Sequence, residues 1–135
     1  MDTSKKISLA VLCIDYRIWP QALPLLKGKY GAFDLIAMAG ASKNLVSPAA
    51  EGDRIVLLEN IATSIRLHNP AVLILTNHLD CGAYGGSKKF SSREEEIAFH
   101  QSELQKAKAV VNEKFPELPV ITELLLMEEG NVSLM

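Results

Sequence analysis

The sequence is short of cysteine, of net charge and of long apolar runs, and each shortage removes a class of protein. Two cysteines in 135 residues cannot build a disulfide scaffold. With no export signal in view, they point to reduced thiols and a cytoplasmic protein. Fourteen basic against 16 acidic residues leave a formal charge of -2, which gives no field favouring nucleic acid or an anionic membrane. Lys5-Lys6 and Lys88-Lys89 are isolated pairs that read as solvated surface. No apolar run approaches the length of a membrane span. The stretch Met1 to Lys6 is not followed by a signal-peptide region and cleavage site, because the apolar residues after it behave as a strand. There is no Gly-x-Gly-x-x-Gly and no Walker loop, so nucleotide binding at the first turn has little support. Internal repeats, linkers and low-complexity segments are also absent.

What is present suits a single domain over residues 1–135, with 48% hydrophobic residues to bury a core. Ile7 to Ile14 is a continuous apolar run, and Ile7 to Leu12 within it reads as a parallel strand covered on both faces. Trp19-Pro20 opens a helix with Leu23, Leu25 and Leu26 on its apolar side; Pro24 argues that it is short or kinked, and Gly28 and Gly31 close it. Phe33 to Met38 is a second strand, ending in the small residues Ala39-Gly40-Ala41-Ser42. From Gly52 to His68 the period turns helical, with Ile55, Leu58, Ala62 and Ile65 as the stripe. Asn69-Pro70 hands over to a third strand, Ala71 to Thr76. A Gly-, Ser- and Lys-rich loop follows, Tyr84 to Ser91. Ser92 and Glu95 then have capping-box spacing, and Glu94 to Glu96 favour a helix N-terminus for an element running to Lys114. Val120 to Met127 is a fourth strand, and the turn signal Glu129-Gly130-Asn131 adds a short antiparallel edge strand at Val132 to Met135. The alternation predicts an α/β fold: one parallel sheet, strand order 2-1-3-4, with helices on both faces. In that order strands one and three are neighbours whose connections leave in opposite directions, which creates a switch-point crevice at their carboxyl ends.

Two stretches stand at those ends. Cys13-Ile14-Asp15-Tyr16-Arg17 follows the first strand and His78-Leu79-Asp80-Cys81-Gly82 follows the third. Each is weak alone. Cys13 reads equally well as a small buried hydrophobe, Asp80 as a turn carboxylate, and Asp15 with Arg17 as a surface ion pair of small value. Together they offer two thiols and an imidazole, a recognised catalytic zinc set that leaves one coordination position open. A metal-free alternative is a nucleophilic pair of Cys13 or Cys81 with His78. His68 and His100 lie in helical stretches away from the strand ends and read as solvent-facing or peripheral.

In this order and context the motifs resemble the β-class carbonic anhydrases, whose signature is Cys-x-Asp-x-Arg after the first strand and His-x-x-Cys-Gly much later. Here these are Cys13, Asp15, Arg17, His78, Cys81 and Gly82, and Ala39-Gly40 resembles the family's Asn-Ala-Gly segment. The resemblance spans most of residues 7–127. It implies Zn2+ held by Cys13, His78 and Cys81, with Asp15 and Arg17 as catalytic residues. Asp15 would accept a hydrogen bond from zinc-bound water, or swing in as a fourth ligand, and Arg17 would hold it in place. The implied reaction is reversible hydration of carbon dioxide to bicarbonate by zinc-bound hydroxide, in a homodimer or higher homo-oligomer, with no nucleic-acid or membrane partner. Three departures stand out. The family's N-terminal helical arm, which crosses to the partner subunit, is absent; Met38 stands where the family has Asn; and the C-terminal end is short. The metal shell is therefore complete while the substrate pocket is matched only in part. That leaves two further readings, a non-catalytic zinc-binding relative and a zinc hydrolase of a small related substrate such as carbonyl sulfide.

Overall fold

A computed structural model describes residues 6–135. Five strands form one sheet: β1 (Ser8–Leu12), β2 (Phe33–Ala37), β3 (Leu73–His78), β4 (Val120–Glu128) and β5 (Asn131–Leu134). Their order is β2-β1-β3-β4-β5. The ladders β1–β2, β1–β3 and β3–β4 are parallel and β4–β5 is antiparallel. This is the expected 2-1-3-4 sheet with its antiparallel edge. Every residue of β1 and β3 is buried, which explains why both read as unbroken apolar runs rather than alternating ones.

The helices are α1 (Trp19–Tyr30), α2 (Lys43–Val46), α3 (Glu51–His68) and α4 (Arg93–Lys114). On one face, Leu45 of α2, Leu57 and Ile61 of α3, and Leu104, Ala107 and Val111 of α4 pack on Leu9, Val11, Leu73 and Leu75. On the other, Ile18 together with Ala22 and Leu26 of α1 packs on Ala10, Leu12, Ile74 and Leu125. Two single turns of 3-10 helix, Gly82–Tyr84 and Ser87–Lys89, occupy the loop before α4. Ser92 caps α4 by accepting a hydrogen bond from the Glu95 amide, while the Glu95 carboxylate reaches back one residue further, to the amide of Ser91. Glu129 and Gly130, both with positive φ (51° and 81°), make the two-residue turn between β4 and β5, as the right-handed strand twist favours.

β1 ends at Leu12 as expected, although the apolar run goes on to Ile14, because Asp15 immediately begins a turn: its carbonyl accepts from the amides of Ile18 and Trp19. Several expectations are corrected. Helix α1 continues through Pro24 and Gly28 and ends only at Gly31, whose φ of 77° suits glycine. The short α2 has no periodic signal of its own. In α3 the buried residues are Leu57, Ile61 and Ser64, whereas Ile55 is 51% exposed and Ala62 is exposed. Ile55 to Leu58 are four apolar residues in a row, so periodicity allows more than one phase and the sheet chose between them. β3 reaches His78, two residues further than expected, since its ladder with β4 continues through Asn77 and His78. Lys6, Lys88 and Lys89 are exposed as read, and Lys5 lies outside the described residues.

Because Ile61 is fully buried, Ile61→Ala should lower the unfolding free energy by about 3 kcal/mol. Ile55→Ala should change it by under about 1 kcal/mol. Urea unfolding curves of the two variants check this, and equal losses would reject the inward phase assigned to α3.

Candidate metal centre

The adjacency of β1 and β3 brings the two sequence motifs to one crevice. Cys13 lies one residue past β1, His78 is the last residue of β3, and Cys81 follows three residues later. One thiolate-capable sulfur from each cysteine and one imidazole nitrogen lie within 4.8 Å of one another, and all three residues are buried. Both cysteines are free thiols.

Backbone fixes how each donor points. The His78 Nδ1–H donates to the Leu79 carbonyl at 2.7 Å, the tautomer that leaves a lone pair on Nε2. That Nε2 is buried, and no partner satisfies it among the described residues. A buried nitrogen without a partner is costly, and on an imidazole gathered with two cysteine sulfurs it suits a metal ligand. Cys13 Sγ accepts from the Gly40 amide at 3.4 Å. Gly40 has φ of 84°, and a Cβ there would stand 3.1 Å from the Ala83 Cβ, so the small residues after β2 allow the loop to approach the sulfur. Asn44 secures that loop by donating to the carbonyls of Ala39 and Ala41. Ser42 ties it to β3 through the Thr76 carbonyl.

The charges favour a thiolate and a carboxylate here. The Cys81 thiol hydrogen bond, helped by His78 and the Gly40 amide, pulls Cys13 far below a normal thiol against the effect of burial. The same shared proton, with burial, drives Cys81 up. Burial opposes charge on His78, yet the Cys13 sulfur, the Leu79 carbonyl and Asp15 raise it overall. Asp15 accepts from the Arg17 amide (2.9 Å), from Arg17 Nε and, at 2.7 Å, from Nη2. Those bonds hold the carboxyl below the usual carboxylate range. Its Oδ2 stands 3.7 Å from His78 Nε2.

The structure thus gathers Cys13, Asp15, Arg17, His78 and Cys81, the five motif residues expected to act as metal ligands or catalytic groups. A soft, borderline donor set of two sulfurs and one imidazole nitrogen around an unsatisfied ligand atom fits zinc, with Asp15 beside it. Two further residues of the site were given no site role by the sequence. Asp80, read as a loop carboxylate, accepts from Arg17 Nη1 at 2.9 Å and from the Ser87 amide at 2.8 Å, and its carbonyl accepts from Arg17 Nη2. Glu96, read only as a helix-end charge, is 3% exposed and takes the Asp80 amide and the Ser87 hydroxyl.

His100 is a correction. Far from facing solvent, it is fully buried, with Nδ1 at 3.2 Å from the Asn77 amide nitrogen and the Tyr84 ring edge-on at 4.9 Å. His68 is exposed as expected and pairs with Asp34. A signal for the buried polar row existed. Glu96, His100 and Glu103 extend the apolar stripe Leu104, Ala107 and Val111 backwards at helical spacing, and all of them are buried.

Comparison with known proteins gives the family and the fold. Residues 3–135 match the model of a family described as "Putative carbonic anhydrase". The chain belongs to that family. An uncharacterised protein of Rickettsia conorii is 31% identical over 123 residues, covering 87% of this chain and 66% of its own length. A second uncharacterised protein, from Rickettsia bellii, is 32% identical, covering 87% and 75%. The chain therefore spans about two thirds to three quarters of these relatives. Among solved structures, a tetrameric beta-carbonic anhydrase of Sordaria macrospora superposes with a TM-score of 0.64 at 16% identity, over 96% of this chain and 80% of that one. Carbonic anhydrase from Streptococcus mutans gives 0.62 at 13%, over 95% and 80%. At such identities these two establish the fold. Among the described residues, no helix is long and apolar enough to cross a membrane.

Burial lowers the His100 imidazole to about 4, with nearby His78 adding to the effect and Glu96 opposing it. Between pH 6.5 and 4 the unfolded chain would take up a proton that the folded one refuses, so this contribution is complete above pH 6.5 and is lost as pH falls. Unfolding free energies of the metal-free protein should therefore fall more steeply over that range than those of His100→Gln, by about 1.4 kcal/mol per pH unit at most. Parallel slopes for the two proteins would mean that His100 titrates normally.

Proposed function

We propose that this chain is a zinc-dependent carbonic anhydrase, catalysing the reversible hydration of carbon dioxide to bicarbonate. The observation that carries the reading is the unsatisfied, buried Nε2 of His78 facing Cys13 and Cys81, with the Asp15–Arg17 pair alongside. A zinc ion held there would supply a water acidic enough to ionise near neutral pH, and so a nucleophile. Cys13, His78 and Cys81 would hold it. Their two thiolates would offset the dication's charge and make that water less acidic than three imidazoles would. Asp15, kept ionised by Arg17, can accept a hydrogen bond and cannot donate one. It would therefore take the nucleophile's O–H and aim a lone pair at the carbon of carbon dioxide. Overall, water adds to carbon dioxide and bicarbonate and one proton leave.

The test is zinc analysis of protein purified without added metal, together with stopped-flow hydration. The parent should hold about one zinc per chain. Cys81→Ser should lose most of it, because a serine hydroxyl is a poor ligand near neutral pH. Asp15→Asn should keep the metal and lose about 10- to 100-fold in rate, since an amide can donate where the carboxylate only accepts. A zinc-loaded parent with no hydration at neutral or alkaline pH would instead make the chain a non-catalytic member of the family.

We also propose a homodimer, in keeping with reduced thiols and a cytoplasmic setting. Its support is the edge strand β2, whose Leu35 is 46% exposed and lines a surface groove with the exposed Leu67 of α3. Light scattering at micromolar concentration should give twice the chain mass, and a monomer would count against the dimer.

A further inference from the structure

Arg17 is shared between two carboxylates on two different loops. Its pairing with Asp15 is local, two residues apart, and so gives the pair no fixed position in the molecule. An Asp15–Arg17 unit held only to itself could travel together. The tether to the other loop is Asp80, which takes Nη1 on its side chain and Nη2 on its carbonyl, each at 2.9 Å. Asp80 is itself held from behind. The Ser87 amide donates to its Oδ1, and the buried Glu96 carboxylate accepts its amide and binds the Ser87 hydroxyl. Gly86 lies so close that a Cβ would stand 3.1 Å from Asp80 Oδ1. The oxygen at stake is Asp15 Oδ2, which Arg17 Nη2 holds at 2.7 Å and which lies 3.7 Å from the unsatisfied nitrogen of His78.

We infer that Asp80 is a positioning residue. By anchoring Arg17 to the loop between His78 and Cys81, it keeps the Asp15 carboxylate off the open coordination position of the metal centre. The inference rests on the zinc-site reading above and goes beyond the ligand set and the Asp15–Arg17 pair. Glu96 and Ser87 serve the same end at one remove, since they fix Asp80.

The test uses the sign of an anion-binding change. Asp80 sits in the left-handed region with φ of 58°, so Asn and Gly are the replacements that its backbone tolerates. Asp80→Asn offers Arg17 and the Ser87 amide a single carbonyl oxygen in place of two carboxylate oxygens, and Asp80→Gly removes the side chain altogether. Each is loaded with cobalt(II), whose sulfur-to-metal charge-transfer bands report the thiolate ligands, and titrated with azide. Removing a nearby negative charge should, by simple electrostatics, tighten anion binding. If Asp80 restrains Asp15, both variants should instead bind azide more weakly, by about fivefold for a tether this exposed, because the freed carboxylate competes for the open position. Adding Asp15→Asn should abolish that weakening, so that the double variant matches Asp15→Asn alone. Unchanged or tighter azide binding in both Asp80 variants, or an equal weakening that persists with Asp15→Asn, would overturn the positioning role and leave the metal site standing. A parent that takes up cobalt without thiolate charge-transfer bands would overturn the metal site, and this inference with it.

Discussion

The orientation of His78 is the constraint on which the site depends. Its Nδ1–H is engaged by the Leu79 carbonyl, so the other ring nitrogen is left as an acceptor in a buried crevice where none of the described residues donates to it. In a core made of apolar contacts such a nitrogen is a destabilising orphan, on the order of 1–3 kcal/mol. Its surroundings make sense if an ion satisfies it. Cys13 is drawn toward the thiolate, small residues let the Gly40 amide reach the sulfur, and a carboxylate waits at 3.7 Å in the grip of a guanidinium. The arrangement stores negative charge around an unfilled acceptor, which is the electrostatic preparation a dication needs.

That preparation depends on sheet topology. Cys13 and His78 are 65 residues apart, and they meet because β1 and β3 are hydrogen-bonded neighbours whose outgoing chains leave in opposite directions. Ser42 and Thr76 reinforce the junction by bonding to the carbonyls of Thr76 and Val11, tying the ends of β1, β3 and the loop after β2 together. Behind the loop of the second motif stands α4, whose inward face turns polar where it passes the site. Glu96 holds that loop, and His100 and Glu103 form a buried network with Asn77 and Tyr84. Polar groups buried at this density are expensive unless paired, so a helix that carries them has a positional role as well as a packing one.

The single amino-acid sequence determined what depends on local chemistry. Unbroken apolar runs marked β1 and β3 because a strand covered on both faces has no exposed side to make polar. Ser92 marked the start of α4 because the orphan amides of a first turn need an acceptor. The donor types and their places after strands marked the five residues of the crevice. Tertiary structure alone decided the rest. Four apolar residues in succession at Ile55 to Leu58 let α3 turn either way, and packing on β1 and β3 buried Leu57 and Ile61 while leaving Ile55 in solvent. Whether a histidine in a helix meets water or core depends on what lies opposite, so His68 and His100 looked alike in sequence and came out at opposite extremes. Asp80 looked like a turn residue because its partner is a guanidinium 63 positions away. Contacts across such a distance leave no local periodicity, and only the closed sheet brings their two ends together.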